Sequence, residues 1–181
     1  MDIYKLKWTA LKQAIFRLFC VKAGKALNQR EIAKLLKVSP TAVGKALKSL
    51  KKEEIVKKEK RGRMNLILIE LNRDNKKVIG LKRAENLKML YESGLVEFLE
   101  ENLPTSTIIL FGSYSQGYDT ITSDIDIAII GMKEKIVNLN NFQKVLEREI
   151  KLNFYNSISE IHKNLRENIL NGIVIMGGIS L

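Results

Sequence analysis

The sequence has few residues of the types that form disulfides, zinc sites and membrane spans. Its single cysteine, Cys20, excludes an internal disulfide and indicates a reducing compartment. Its single histidine, His162, has no cysteine, histidine or acid at zinc-ligand spacing nearby, so we expect it at the surface or in packing. Charges interrupt the first twelve residues, which excludes a signal peptide, and no apolar run reaches the length of a membrane span. We therefore expect a cytoplasmic protein.

The positive charge is concentrated in the first part of the chain. The 181 residues carry a formal net charge of +11. Residues 1–72 contain 18 Lys and Arg against 6 Asp and Glu, whereas residues 73–181 contain 13 against 14. A part this basic indicates a polyanion as partner, most simply nucleic acid. The alternative is a lysine-rich surface that only maintains solubility.

The sequence of the basic part predicts three helices. Apolar residues at helical spacing predict the first over residues 3–22. Asn28 with Glu31 has the pattern of a capping box at the start of the second. Ser39 followed by Pro40 predicts the start of the third, since serine caps a helix and proline suits its first position. The residues expected to be buried on the second and third helices are Ile32, Ala33, Leu35, Leu36, Val43, Ala46, Leu47 and Leu50.

A basic hairpin is predicted after the three helices. Residues 55–58 and 65–71 read as strands around the segment Lys-Arg-Gly-Arg at 60–63. This order of elements resembles the winged helix-turn-helix DNA-binding domains. The resemblance implies that the third helix enters a major groove of duplex DNA, that the hairpin lies along phosphates, and that a homodimer is possible. A helical module that dimerises without touching DNA is the alternative. The implied DNA-binding residues are Thr41, Lys45, Lys48, Arg61 and Arg63.

The remainder of the chain alternates helices and strands. We place the domain boundary near residue 75, which gives domains of residues 1–75 and 76–181. Helices are predicted from residue 81 to a stop near Pro104, over residues 139–149, and from a cap at Ser157 or Ser159 to Leu170. Strands are predicted over residues 108–111, 125–130 and 150–154, and a short apolar tail covers residues 173–176.

Two strands of this second domain carry a Gly-Ser pair and two acids. Gly112 and Ser113 directly follow the first strand, and a glycine there lets the backbone approach a ligand closely. Asp124 and Asp126 are two residues apart, so both carboxylates project from the same face of the next strand. Such a pair suits Mg²⁺ or Mn²⁺ together with substrate phosphates. The alternative is a β-hairpin with a polar loop and two surface aspartates.

The pattern Gly112-Ser113, ten residues, then Asp124-Ile125-Asp126 resembles the signature of the DNA polymerase β-like nucleotidyltransferases, specifically their minimal (MNT) members. The resemblance implies an α+β fold, in which a small domain with a short mixed sheet flanked by helices follows the winged helix. It assigns Asp124 and Asp126 as catalytic metal ligands. It assigns Gly112 and Ser113 to binding a nucleoside triphosphate, whose nucleoside monophosphate is transferred to an acceptor hydroxyl.

The third strand departs from this family. Active members carry a third carboxylate there, but the polar positions here are Lys151 and Asn153. Asn153 could coordinate a cation through its amide oxygen, and Lys151 could contact a phosphate or oppose a metal. Two functions therefore stay open. The first is a DNA-binding nucleotidyltransferase, for example an antitoxin that modifies a HEPN-type toxin. The second is a transcriptional regulator whose degenerate transferase domain binds nucleotide or a protein partner without turnover.

Overall fold

A computed structural model describes residues 8–61 and 66–179 of the chain. The chain divides into two compact units, Met1–Val78 and Ile79–Leu181, whereas the sequence placed the boundary near residue 75. Helices and a mixed sheet confirm the predicted α+β class. Within the described ranges, each helix is too short or too polar to cross a lipid bilayer.

The first unit has the element order of a winged helix. Its hairpin is antiparallel, and Leu27 adds a short third segment by exchanging two backbone hydrogen bonds of 2.8 Å with Ile69. Three helices followed by this small sheet form the predicted arrangement. The elements are α1 (Ala10–Val21), α2 (Gln29–Leu36), α3 (Pro40–Lys52), β1 (Val56–Arg61) and β2 (Leu66–Leu71).

The helix starts of the first unit follow from their capping residues. The capping box of Asn28 and Glu31 is present, and the backbone N–H of Asn28 donates to Glu31 Oε2 over 2.6 Å. Ser39 caps α3, as predicted. The predicted start of the first helix is wrong for Trp8 and Thr9, because the Thr9 hydroxyl accepts from the N–H of Lys12 and so begins α1 at residue 10. Residues 3–7 of that prediction lie outside the described part.

Of the eight predicted core positions on α2 and α3, six are buried, Leu36 is half-buried and Leu35 is exposed. Leu35 is 50% exposed, because it lies on the side of α2 opposite the buried Ala33. Gly44 of α3 faces α2. A β-carbon on Gly44 would lie 2.8 Å from Nε2 of Gln29, which itself donates to the carbonyl of Pro40. The small residue therefore allows α2 and α3 to pack closely.

From α4 onward the chain builds a four-stranded mixed sheet with the strand order β5-β4-β3-β6. Strand β3 is antiparallel to both β4 and β6, and β4 is parallel to β5. The elements are α4 (Lys76–Glu92), α5 (Leu95–Asn102), β3 (Thr107–Phe111), α6 (Gly112–Gln116), β4 (Ile125–Ile130), α7 (Asn140–Leu146), β5 (Ile150–Tyr155), a 3₁₀ turn (Ile158–Glu160), α8 (Lys163–Leu170) and β6 (Ile173–Met176).

Three local predictions for this unit are corrected. The segment that begins at Gly112 is a single helical turn, α6, and no helix was predicted there. Helix α7 ends at Leu146 because Glu147 takes a left-handed conformation with φ of 52°, which turns the chain into β5. Neither predicted serine caps the last helix, which begins after His162 without a side-chain cap. The apolar tail is the strand β6.

The centre of the sheet is buried on both faces, which explains the unbroken apolar run of β3. Ile108, Ile109 and Leu110 are all fully buried. On one face, Ile109 packs with Phe111, Ala128, Ile161 and Ile169. Such packing holds the ends of β3 and β4 in fixed positions, and the predicted site residues stand at one of these ends.

Candidate functional site

The sheet brings three separate segments together at one end. Strand β4 is antiparallel to β3 and parallel to β5. The end of β3 therefore meets the beginnings of β4 and β5. Phe111 pairs with Asp126, and Asp126 pairs with Lys151 on its other side. Gly112 follows Phe111 directly. The structure therefore places Gly112, Asp126 and Lys151 side by side.

Gly112 is packed against the carboxylate of Asp126. Its φ is +72°, a conformation that side chains disfavour, and a β-carbon on it would lie 2.9 Å from Asp126 Oδ2. Both features favour glycine at this position. The following residue, Ser113, is half-buried and is the second residue of α6.

Lys151 forms an ion pair with the first of the two acids. Its Nζ lies 2.6 Å from Asp124 Oδ2, and the lysine and aspartate side chains are 50% and 32% exposed. The hydrogen bond and the charge of Asp124 raise the pKa of Lys151. Burial raises the pKa of Asp126, the charge of Asp124 raises it further, and Lys151 opposes both. The site therefore holds two acids and one ammonium group, and Asp126 is the less compensated acid.

The donor set fits one magnesium ion better than two. Two carboxylates, completed by water and substrate phosphates, are a common environment for Mg²⁺. Asp124 and Asp126 would hold such an ion, which would neutralise charge on a bound triphosphate. Across residues 8–61 and 66–179, no group of three or more His, Cys, Asp or Glu is positioned to bind a metal. Asn153 pairs further along β4, and its amide donates to the carbonyl of Ile127 over 3.4 Å.

A cleft of about 550 Å³ opens beside Asp124. This volume lies in the range of sites for small organic ligands. Its walls come from the loop before β4, from α7 and from the turn before β5. The lining residues are Ile121, Thr122, Ser123, Asp124, Asn140, Gln143, Lys144, Glu147, Arg148 and Glu149. Among the predicted site residues that the structure describes, only Asp124 lines this cleft. The sequence analysis therefore missed the cleft.

A buried polar network lies behind the site, and the sequence analysis missed it as well. Asp119 is fully buried and accepts hydrogen bonds from Lys82 and from Asn86, the latter over 2.7 Å. Arg148 Nη2 lies 3.5 Å from the other carboxylate oxygen. Asn86 also donates to the carbonyl of Tyr114 over 2.9 Å. The network joins α4, α6, the loop before β4 and the turn before β5.

The same network fixes the course of the loop between α6 and β4. Gly117 takes a φ of +81°, and a β-carbon there would lie 2.6 Å from the carbonyl oxygen of Ile79. The loop is thereby pressed against α4 at Gly117 and anchored at Asp119. It ends in a turn in which the N–H of Thr120 donates to the hydroxyl of Ser123 over 2.9 Å. Asp124 follows immediately, so the network positions this acid.

In the first unit, three of the predicted DNA-binding residues share one exposed face. Thr41, Lys45 and Lys48 are all exposed, and they recur at helical spacing along α3. Arg61 is the last residue of β1, and Arg63 lies outside the described residues. Further along α3, the Ser49 hydroxyl donates to Glu53 over 3.0 Å.

Residues 93–178 match the family model described as Polymerase beta, Nucleotidyltransferase. The match covers slightly less than half of the chain. It contains Gly112, Ser113, Asp124, Asp126 and Lys151, and it spans the whole sheet of the second unit. This part of the chain is thus similar to nucleotidyltransferase domains of the polymerase β type. No curated protein matches the sequence significantly.

Solved structures of ZitR from Lactococcus lactis show a limited likeness. For a mutant of ZitR in which serine replaces a cysteine, the identity is 23% and the TM-score 0.44, and the match covers 56% of this chain and 66% of that one. For wild-type ZitR in complex with DNA, the identity is 25% and the TM-score 0.39, and the match covers 56% of this chain and 64% of that one. The chain thus spans just under two thirds of the length of these structures. The winged-helix arrangement described above rests on this chain's own elements.

Proposed function

We propose that this protein is a DNA-binding regulator whose nucleotidyltransferase domain binds a nucleoside triphosphate and turns it over slowly or not at all. The observation that carries the proposal is the pairing of Lys151 with Asp124 beside the close contact of Gly112 and Asp126. In the first contact, the ammonium group of Lys151 stands on the strand where the resemblance implies a third acid. In the second, Gly112 is retained at the turn that is expected to bind phosphate.

The geometry around Gly112 supports the proposed binding of a triphosphate. A backbone without a side chain at this position lets phosphate oxygens approach its N–H groups, and the Ser113 hydroxyl adds a donor. Asp124 and Asp126 would hold Mg²⁺ or Mn²⁺ arriving with the phosphates. The cleft beside Asp124 has room for the nucleoside or for an acceptor.

The chemistry of Lys151 supports the proposed slow turnover. A protonated lysine cannot accept the proton of an attacking hydroxyl, and the pairing with Asp124 raises its pKa further. Loss of general-base help typically lowers a rate by about 10² to 10⁴. A domain of this kind keeps nucleotide binding while its rate of nucleotidyl transfer falls. These are the properties that a nucleotide sensor needs.

DNA binding is proposed for the first unit. Its charge of +12 over residues 1–72 and the exposed face of Thr41, Lys45 and Lys48 on α3 support it. Replacing Arg61 and Arg63 by alanine together should flatten the fall of affinity with salt. Binding of duplex DNA that is insensitive both to salt and to these changes would contradict the proposal.

The nucleotide site is tested by calorimetric titration of ATP and the other triphosphates into the full chain, with and without Mg²⁺. We expect metal-dependent binding that is weakened by about tenfold or more in Asp124→Ala/Asp126→Ala. The control is Asp74→Ala, since Asp74 is 79% exposed in the first unit. Absence of binding by every triphosphate would refute the nucleotide part.

A second candidate is an active nucleotidyltransferase, favoured by the retention of Gly112, Ser113, Asp124 and Asp126. An acceptor hydroxyl would attack the α-phosphorus and lose its proton to water. The bond from the α-phosphorus to the oxygen that joins it to the β-phosphate would break, and pyrophosphate would leave. The acceptor could be a protein, an RNA or a small molecule, and a HEPN-type toxin stays a predicted partner. Release of pyrophosphate that depends on Asp124 and on an added acceptor would establish this candidate over the first.

A further inference from the structure

We infer that the Lys151 ammonium group acts as a tethered cation, so that the site takes one divalent ion with its nucleotide where a third acid would allow two. This deepens the proposed function, on which its nucleotide arm rests. The juxtaposition that carries it is the position of Lys151 between the two acids: it pairs in register with Asp126 and bonds to Asp124.

The position of Lys151 determines how many cations the site can hold. A residue at this point of β5 lies next to Asp126, and its side chain reaches Asp124 Oδ2 at 2.6 Å. An acid there would add a ligand for a second ion between the same carboxylates. The lysine instead brings a tethered positive charge to this end of the sheet and repels a second divalent ion.

The balance of charges favours the same conclusion. Asp124, Asp126 and Lys151 together carry a net charge of −1 when ionised. One divalent ion reverses this charge to +1, which suits a bound triphosphate. Three acids with two divalent ions would also carry a net charge of +1. The ammonium group of Lys151 therefore supplies the same charge as a third acid and a second ion together.

The pair is also weak enough to open. Lys151 is 50% exposed and Asp124 is 32% exposed, and water screens ion pairs at that exposure. A lysine carries three donors on a flexible chain. Lys151 can therefore leave Asp124 for a phosphate oxygen when a triphosphate arrives. Asp124 then becomes available to the ion that accompanies the nucleotide.

The test is a titration of Mn²⁺ into the full-length protein, with free Mn²⁺ followed by electron paramagnetic resonance. The variants are Lys151→Asp, Lys151→Met and the control Lys163→Asp, which makes the same charge change at an exposed position of α8. Without nucleotide, we expect Lys151→Asp to bind Mn²⁺ about tenfold or more tightly than wild type. Lys151→Met should show a smaller gain, because repulsion is removed and no ligand is added. The control should behave as wild type.

A second arm repeats the titration with a non-hydrolysable ATP analogue. We expect one Mn²⁺ per chain in wild type and two in Lys151→Asp. Equal Mn²⁺ binding by wild type, Lys151→Asp and Lys163→Asp in both arms would overturn the inference, as would two ions in wild type. Failure of every variant to bind nucleotide would refute the proposed function, while the arm without nucleotide would still decide the role of Lys151. If Lys151→Asp does not fold, Lys151→Met decides the first arm.

Discussion

Asn86 and Asp119, which are 33 residues apart in the sequence, are joined by a hydrogen bond of 2.7 Å between two almost completely buried side chains. Lys82 bonds to the same carboxylate oxygen, and Arg148 approaches the other. The group ties α4 to the loop that leads into Asp124. Its integrity therefore affects both the stability of the second unit and the geometry of the site.

Replacing Asp119 by alanine should destabilise the second unit by about 3–5 kcal/mol, because it removes the carboxylate that compensates buried Lys82. The measurement is urea unfolding followed by circular dichroism. The matched control is Asp74→Ala, which breaks the exposed pair of Asp74 with Lys57 at 2.9 Å and should cost no more than about 1 kcal/mol. Equal effects of the two changes would show that the buried network does not stabilise the fold.

Gly112→Ala should weaken triphosphate binding by about tenfold or more and lower the free energy of unfolding by about 1–2 kcal/mol. The reasons are the φ of +72° and the contact of 2.9 Å that a β-carbon would make with Asp126 Oδ2. Calorimetry with ATP and urea unfolding measure the two effects.

The control for this change is Gly80→Ala. Gly80 lies within α4, and a β-carbon on it would meet no atom within 4 Å. Alanine there should raise stability by about 0.5–1 kcal/mol and leave ATP binding unchanged. A Gly112→Ala protein that binds ATP like wild type would rule out the close approach of phosphates at this position.

Removing Lys45 and Lys48 together should weaken binding to duplex DNA and lower the slope of log affinity against log salt by about 2, roughly one per lost phosphate contact. Fluorescence anisotropy over a series of salt concentrations measures the slope. The control is Lys133→Ala/Lys163→Ala, which removes the same charge from exposed positions of the second unit. If both pairs change the slope equally, α3 is not the DNA-contacting element.

The stability of the first unit should fall in acid through Glu53. Burial alone would raise the pKa of Glu53, but hydrogen bonds from Trp8 and Ser49 and the charge of Lys12 outweigh it and lower the pKa below 4.5. A lowered pKa in the folded state stabilises the fold above the pKa of the unfolded state. That contribution is lost as the pH falls below about 4.5 and through the lowered value.

The measurement uses Trp8, the single tryptophan, whose Nε1 donates to Glu53 Oε2 over 2.8 Å. In Glu53→Gln, denaturant unfolding followed by Trp8 fluorescence should depend less on pH over this range than in wild type. Glu97→Gln, on the exposed side of α5 in the other unit, should keep the wild-type profile. An unchanged profile in Glu53→Gln would mean that other groups cause the acid sensitivity.

Local signals in the sequence predicted the starts of α2 and α3 and the buried strands well. The capping box at Asn28 and the serine and proline at 39 and 40 act within a few residues, so their effect does not depend on the rest of the fold. The apolar runs of β3 and β4 have the composition of strands buried on both faces. Predictions failed where one residue's conformation decides, as at Glu147, whose left-handed backbone ends α7 early.

The sequence by itself determined that Asp124 and Asp126 share one face of a strand, because strand periodicity fixes which residues project together. It also determined that the Gly-Ser pair follows the preceding strand and that position 151, on the next strand, is a lysine. Only the tertiary structure decided that Lys151 bonds to Asp124 rather than facing solvent, since this depends on the parallel register of β4 and β5. It also decided that Asp119, Asn86, Lys82 and Arg148 meet in one buried group. Contacts between residues 29 to 37 positions apart follow from packing, which no short-range pattern encodes.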